Sequence, residues 1–421
     1  MIPTANDMAV LTSPGAAASA APAGKSGFVP GNQVTLLQNG EAFFPAIVQA
    51  FDRARYEIYL ATYIYADDAT GRQIAVALKR AVLRGVRVYV VIDGYGSSDL
   101  PRPMRDQMRK DGIELRVFRP GISPWTLRRK RLRRMHRKIV VVDREIAFVG
   151  GINIVDDRAS ASDMAPRYDY AVAVEGPLVD VVRNSAVQLW SVVARKAIRS
   201  RAGRNAELPV STFPGGPMNA AFLLRDNFRH RRDIELAYLR AINQAHTEII
   251  LAQAYFFPGF KFRHGLVNAA NRGVKVVLLL QGKVENFLEH YARRAIYGNL
   301  LDAGIEIHEY HKSYLHAKVA VIDGHWATVG SSNIDPFSLL LAYEANMVVD
   351  DQGFGAALAQ RLKISVASDS QQILAVNWKQ QPMIVRFVSW LCYGLLRLMT
   401  EISGYDSENG RDNDLTDLKD P

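Results

Sequence analysis

One short pattern occurs twice in this 421-residue chain, and it limits the possible folds more than any composition figure. The first copy, MHRKIVVVDREIAFVGGIN, fills residues 135–153, and the second, LHAKVAVIDGHWATVGSSN, fills 315–333. His136, Lys138, Asp143, Gly150 and Asn153 reappear as His316, Lys318, Asp323, Gly330 and Asn333, each 180 positions later (136 to 316). Positions i and i+2 of an extended strand share a face, so the imidazole and ammonium of each copy can reach into one site. The apolar run 139–142 predicts a buried strand, 143–145 a turn, and 146–149 a second strand.

The repeat extends well beyond the motif. ARYEIYLATYIY at 54–65 answers AHTEIILAQAYF at 245–256, RGVRVYVVID at 84–93 answers RGVKVVLLLQ at 272–281, and GIELRVF at 112–118 answers GIEIHEY at 304–310. Apolar periodicity predicts helices over 41–54, 70–84 and 104–110, with strands over 57–65, 86–93 and 113–118. Gly85 is the expected left-handed stop of the second helix. Alternating strands and helices predict an α/β fold with a largely parallel sheet covered on both faces. The expected units are a disordered leader over 1–30, two homologous halves over 31–205 and 206–365, an amphipathic helical region over 366–402, and an acidic disordered tail over 403–421. The leader, rich in Ala, Pro, Gly and Ser, is alternatively a degenerate secretory signal.

The repeat offset falls from 192 (112 to 304) to 180 at the motif, so the first half carries about twelve extra residues just before its motif strand. They lie within PGISPWTLRRKRLRRM at 120–135, which holds Trp125, Leu127, Arg128, Arg129, Lys130, Arg131, Arg133 and Arg134. Two readings are open: a substrate-facing basic lip, or a solvated charge run. The net charge of +10 agrees with an anionic partner surface, either lipid or nucleic acid. Next to an anionic bilayer each Lys or Arg contributes about 1 kcal/mol of attraction.

Residues 384–399, IVRFVSWLCYGLLRLM, are too short and too charged to span a bilayer. On a helix, Lys379, Arg386 and Arg397 return to one azimuth, while Phe387, Val388, Trp390, Leu391, Leu395 and Leu398 cover much of the remainder. That pattern fits a helix lying in a membrane interface, with Arg386, Trp390 and Arg397 as lipid contacts. The alternative is a helix packed on the core with its cationic stripe outside. The single cysteine, Cys392, excludes an internal disulfide. The sequence has no CxxC or HExxH, and no metal or other cofactor is expected.

Two histidines on matched strands meet the needs of phosphodiester exchange, in which one attacks phosphorus and the other protonates the departing oxygen. Lys138, Lys318, Asn153 and Asn333 would donate to the phosphoryl oxygens. Asp143 and Asp323 lie at odd spacing from the histidines and at turns, which predicts a structural role. An acting histidine also needs a carboxylate on its other nitrogen. Asp169 in YDYAVAV and Glu344 in YEANMVV stand at matching places, 33 and 28 residues beyond His136 and His316.

The paired HxKxxxxD motif with its trailing GxxN resembles the phospholipase D superfamily. From about residue 31 to 362 the chain is similar to bacterial cardiolipin synthases of the B type, on LLQNGEAFFPA, VIDGYGSSDL, RRMHRKIVVVD, RYDYAV, AYFFPGFKF and HWATVGSSNIDPFSL. Gln253 stands in QAYFFPG where relatives carry Asn. The resemblance implies two α/β/α sandwich halves with mixed, mostly parallel sheets about a pseudo-twofold axis. It also implies a catalytic set of His136, Lys138, Asp143, His316, Lys318 and Asp323, with His136 as nucleophile. The implied reaction transfers a phosphatidyl group from one phosphatidylglycerol to another and releases glycerol. Hydrolysis, as a phospholipase D or a nuclease of the superfamily, is the alternative. The implied partners are an anionic phospholipid membrane and phosphatidylglycerol, with no nucleic acid, at the cytoplasmic side of a bacterial inner membrane. Oligomeric state is left open.

Overall fold

The computed structural model describes residues 27–120, 133–157, 165–194, 213–226, 230–285, 287–335 and 342–402. The first repeat runs β1 (Val29–Gln38), helix Asn39–Arg53, β2 (Glu57–Thr62), helix Ala69–Leu83, β3 (Arg87–Asp93), helix Arg102–Lys110 and β4 (Glu114–Phe118). The short β5 (Arg134–Met135), the motif hairpin β6 (Ile139–Val142) and β7 (Ile146–Gly150), β8 (Tyr170–Glu175) and helix Leu178–Ala194 follow. The second repeat restates this order as β9 (Met218–Arg225), β10 (Glu248–Gln253), β11 (Lys275–Gln281), β12 (Glu306–Tyr310), β13 (Lys318–Ile322), β14 (Trp326–Gly330) and β15 (Ala342–Asp350). Helix Gln352–Asp369 and an edge strand, β16 (Ser370–Ile373), close it.

Local chemistry explains the breaks. Asp68 caps helix Ala69–Leu83 by accepting from the Gly71 amide at 2.8 Å. Gly85 and Gly273, each in an RGV triplet, take φ of 88° and 91° after their helices, a conformation that costs glycine little. Asp143 and Asp323 occupy the left-handed region at the hairpin turns, with φ of 53° and 50°.

The strands form one sheet in the order β16-β12-β11-β10-β13-β14-β15-β9-β1-β8-β7-β6-β2-β3-β4, with β5 pairing to β15. The order reads the same outward from the antiparallel β1–β9 pair, which places the pseudo-twofold axis there. Three expectations need correction. The repeats share one sheet rather than carrying separate ones, because β1 and β9 join. The sheet is also not mostly parallel: only β2-β3-β4 and β10-β11-β12 run parallel along it, and the strands between them pair antiparallel. The helix-per-strand alternation that signals parallel pairing stops at β4 and β12, where hairpins take over. A third correction is that β1 starts at Val29, inside the expected leader, whose first 26 residues lie outside the described ones.

On one face of the sheet, helices Leu178–Ala194 and Gln352–Asp369 cover a single apolar core drawn from both repeats. On the other face each repeat has its own core. The helices expected over 41–54, 70–84 and 104–110 are present with ends shifted by up to two residues.

Candidate active site

The two motifs meet across the pseudo-twofold axis. The peptide N–H of His136 donates to the Tyr343 carbonyl at 3.0 Å, and that of His316 donates to the Tyr168 carbonyl at 2.8 Å. Each histidine segment is thereby stitched to the strand start of the opposite repeat. The next residue on each strand is the carboxylate. His136 Nδ1 lies 3.0 Å from Glu344 Oε2 and 2.9 Å from Oε1, and His316 Nδ1 lies 2.6 Å from Asp169 Oδ2. The two acids singled out in the sequence lie against the histidines, but crosswise, each beside the ring of the other repeat. With Nδ1 held by a carboxylate, Nε2 of each ring is left to face a reacting atom. Both histidines sit just ahead of β6 and β13 rather than within them.

Lys138 and Lys318 are 4% and 0% exposed, and each ammonium donates to its own histidine's carbonyl, Lys138 at 2.9 Å. Burial brings Lys138 down to about 7 and Lys318 down to about 8, partly offset by Glu344 and Asp169. Burial likewise lowers both histidines, His316 well below its ordinary value, with Lys318 and Lys138 adding to the effect. Asp169 is pushed up to about 6 by burial, against the pull of Lys318. The site thus buries two ammonium groups and two carboxylates around the histidine pair. Asn153 and Asn333 are buried beside it, and Asn153 Oδ1 accepts from the Ile64 amide at 3.1 Å.

Asp143 and Asp323, placed among the catalytic six by the resemblance, hold backbone instead. Asp143 accepts from the amides of Arg55, Tyr56 and Glu57 at 2.8–2.9 Å. Asp323 accepts from those of His246, Thr247 and Glu248 at 2.8–3.0 Å. Burial would raise Asp323, but these amides prevail and hold it at about 2.

Three further residues escaped the sequence reading. Tyr63 stands edge-on to His136, ring centroids 4.7 Å apart, and lies under the Lys138 ammonium at 5.4 Å. Ser331 donates from its hydroxyl to Glu344. Its counterpart is Gly151, where a Cβ would stand 2.3 Å from Asp169 Oδ1, so the first repeat needs glycine. That asymmetry was visible as GGIN against GSSN. Arg137 is 5% exposed and bonds the Glu344 and Arg225 carbonyls at 3.1 and 3.2 Å, tying the segment to the second repeat where Ala317 stands in the other copy. Flanked by His136 and Lys138 ahead of β6, Arg137 had no apolar pattern around it to mark it as buried.

Of the expected lipid contacts, Trp125, Leu127, Arg128, Arg129, Lys130 and Arg131 lie outside the described residues, as does the side chain of Lys379. Arg134 is described, and its guanidinium stands over the Tyr95 ring at 5.3 Å. Helix Met383–Ile402 buries Cys392 and Leu396 against Ala292 of helix Phe287–Arg294. Its opposite face exposes Ile384, Phe387, Leu391, Leu395 and Leu398, with Trp390, Arg386 and Arg397 exposed along one flank. The helix packs on the protein, yet what it turns outward is an apolar face. No helix among the described residues is long and apolar enough to cross a membrane.

The profile of the family described as "Cardiolipin synthase, PLD-like domain" matches residues 47–190 and 238–365. The chain is 40% identical to cardiolipin synthase B of Escherichia coli K12, over 82% of each protein. It is 29% identical to cardiolipin synthase A of Serratia proteamaculans, over 87% of this chain and 75% of that one. Among solved structures, phosphatidylserine synthase from Haemophilus influenzae Rd KW20 superposes with a TM-score of 0.65 at 14% identity, over 88% of this chain and 95% of that one, and shares the fold. The doubled motif, its crosswise pairing and these matches agree: the chain belongs to the cardiolipin synthase family of phospholipase D-like proteins.

Proposed function

We propose that this protein is a cardiolipin synthase that moves a phosphatidyl group from one phosphatidylglycerol to the glycerol hydroxyl of a second. The crosswise His–carboxylate pairs carry the reading, because they place two oriented imidazoles at one buried anion site. In the first step, Nε2 of one histidine attacks phosphorus while the other delivers a proton to the departing glycerol oxygen. The family resemblance assigns the attack to His136 and the proton to His316. His136 is held neutral by burial, which suits a nucleophile. His316 needs a proton, and the incoming phosphodiester anion raises its affinity for one. In the second step, the now neutral His316 accepts the proton of the second glycerol hydroxyl, whose oxygen displaces His136 from phosphorus.

Lys138, Lys318, Asn153 and Asn333 serve as donors to the phosphoryl oxygens, and their burial supports that role because donors removed from water act strongly. Asp169 and Glu344 fix the tautomers, and Asp143 and Asp323 fix the strand ends. The apolar face of helix Met383–Ile402 docks the enzyme peripherally on the bilayer, where its lipid substrates lie. We place that bilayer at the bacterial inner membrane, cytoplasmic side.

Phosphatidylglycerol vesicles given to purified protein should yield cardiolipin and free glycerol in equal amounts. Phosphatidic acid in place of cardiolipin would make the enzyme a hydrolase and overturn the reading.

A further inference from the structure

A cavity lies between the second motif and the underside of helix Met383–Ile402. Its walls include Gln281, Glu285, Glu289 and Asp335, with Phe257 and Leu396 toward the helix. Two of its lining residues, Gln281 and Ala254, hold the backbone on either side of His316. Gln281 Oε1 accepts from the Leu315 amide at 3.2 Å, and the Ala254 amide donates to the Ala317 carbonyl at 2.9 Å.

The first repeat shows what this position does elsewhere. There Asp93, the repeat partner of Gln281, accepts from the Met135 amide at 2.9 Å and from the Tyr95 and Gly96 amides at 2.9 and 3.2 Å. Gln281 keeps the first of these duties but is an amide, so it brings an NH2 group that Asp93 lacks. That Nε2 is buried with no hydrogen-bond partner, on a residue 3% exposed. The bond from Leu315 fixes which amide atom is oxygen. A buried donor left unpaired costs about 1–3 kcal/mol, and filling it requires an acceptor supplied from the cavity.

The remaining wall is rich in acceptors. Glu285 accepts from the Tyr255 hydroxyl at 3.0 Å and lies 3.7 Å from Arg167. Glu289 and Asp335 stand nearby, and Lys283 and Arg293 offset their charge. A fixed donor facing several carboxylate oxygens, close to charge balance, matches a group that both accepts and donates. Vicinal hydroxyls do so. A phosphate would meet the carboxylates, and an ammonium would leave the Gln281 donor unmet.

We propose that this cavity is the headgroup subsite for the glycerol of the lipid whose hydroxyl exchanges its proton with His316, with Gln281 and Glu289 as specificity-determining residues. The inference rests on the transferase reading above. It gives the second repeat a task the first lacks, since in the first Asp93 is already saturated by backbone amides.

The test uses the full chain with phosphatidyl-p-nitrophenol as donor, whose leaving group does not need the subsite, and equal concentrations of labelled glycerol and labelled 1-propanol as acceptors. The readout is the ratio of phosphatidylglycerol to phosphatidylpropanol formed. This ratio is internal to each variant, so a general loss of rate does not alter it. Wild type should favour glycerol. Gln281→Glu keeps the acceptor for Leu315 and removes the donor, and it should lower the ratio about tenfold. Glu289→Gln should lower it too, and lies outside the His316 backbone contacts if the first variant fails to fold. An unchanged ratio in both variants would overturn the proposal, as would a wild-type preference for 1-propanol over glycerol. Phosphatidic acid formed in place of both phosphatidyl alcohols by wild type would instead remove the transferase reading, and the subsite with it.

Discussion

Glu344 opens the strand of the second repeat yet holds His136 of the first, with carboxylate oxygens 2.9 and 3.0 Å from Nδ1. Asp169 holds His316 in the reverse sense. Neither motif histidine takes its carboxylate from its own repeat, so the pairs are complete only in the joined sheet. Glu344→Gln keeps the shape and loses the charge that favours the imidazolium. It should cut kcat by about 10²- to 10⁴-fold with little change in KM. Steady-state turnover on phosphatidylglycerol would decide, and a wild-type kcat would show that the carboxylate is not the orienting partner.

The titrations frame a pH profile. Asp169, raised to about 6, takes up a proton as pH falls through that value, and His316 then loses its anionic partner. Lys138 and Lys318, lowered to about 7 and about 8, lose their charge as pH rises through those values, and with it the attraction for phosphate. Activity toward free substrate should therefore fall on both sides. A bell-shaped kcat/KM with an acid limb near 6 and an alkaline limb between 7 and 8 is expected. A profile flat from pH 5 to 9 would contradict both assignments.

Asp143 is buried at the hairpin turn and accepts from three successive amides that start β2. Asp143→Ala should destabilise the protein by about 2–3 kcal/mol through those unmet donors. Turnover per folded molecule should hardly change. Denaturant midpoints and active-site titration separate the two effects, and a loss of kcat with unchanged stability would return Asp143 to the chemistry.

Much of this was legible in the chain because the physics is local. The His136 and His316 motifs, the RGV stops at Gly85 and Gly273, and the acids Asp169 and Glu344 all announce themselves by spacing. What was not legible depends on which strand lies beside which. The exchange of Asp169 and Glu344 between histidines follows from β5 pairing with β15 and from the matching Tyr168–Leu315 bridge, which sequence periodicity cannot encode. The same limit explains the parallel-sheet error: helix-strand alternation reports connections, and the antiparallel centre is set by the β1–β9 junction. Tyr63 was missed because an aromatic just past a buried strand reads as core.

The two faces of helix Met383–Ile402 let the proposed membrane docking be tested apart from folding. Phe387 and Leu391 are 64% and 63% exposed, so replacing them costs the folded protein little. If they enter the interface, each forfeits about 1.5–3 kcal/mol at full burial, and roughly half of that at interfacial depth. Phe387→Ser with Leu391→Ser should weaken vesicle binding about tenfold or more, leave the melting temperature within about 1 °C, and spare turnover of a short-chain soluble substrate. Leu396, 3% exposed against helix Phe287–Arg294, should behave oppositely. Leu396→Ser opens a polar cavity beneath the helix and should lower stability, with membrane affinity following only as the helix detaches. Sedimentation with phosphatidylglycerol vesicles beside thermal melts distinguishes the faces, and unchanged vesicle binding in the double variant would leave the apolar face without a membrane role.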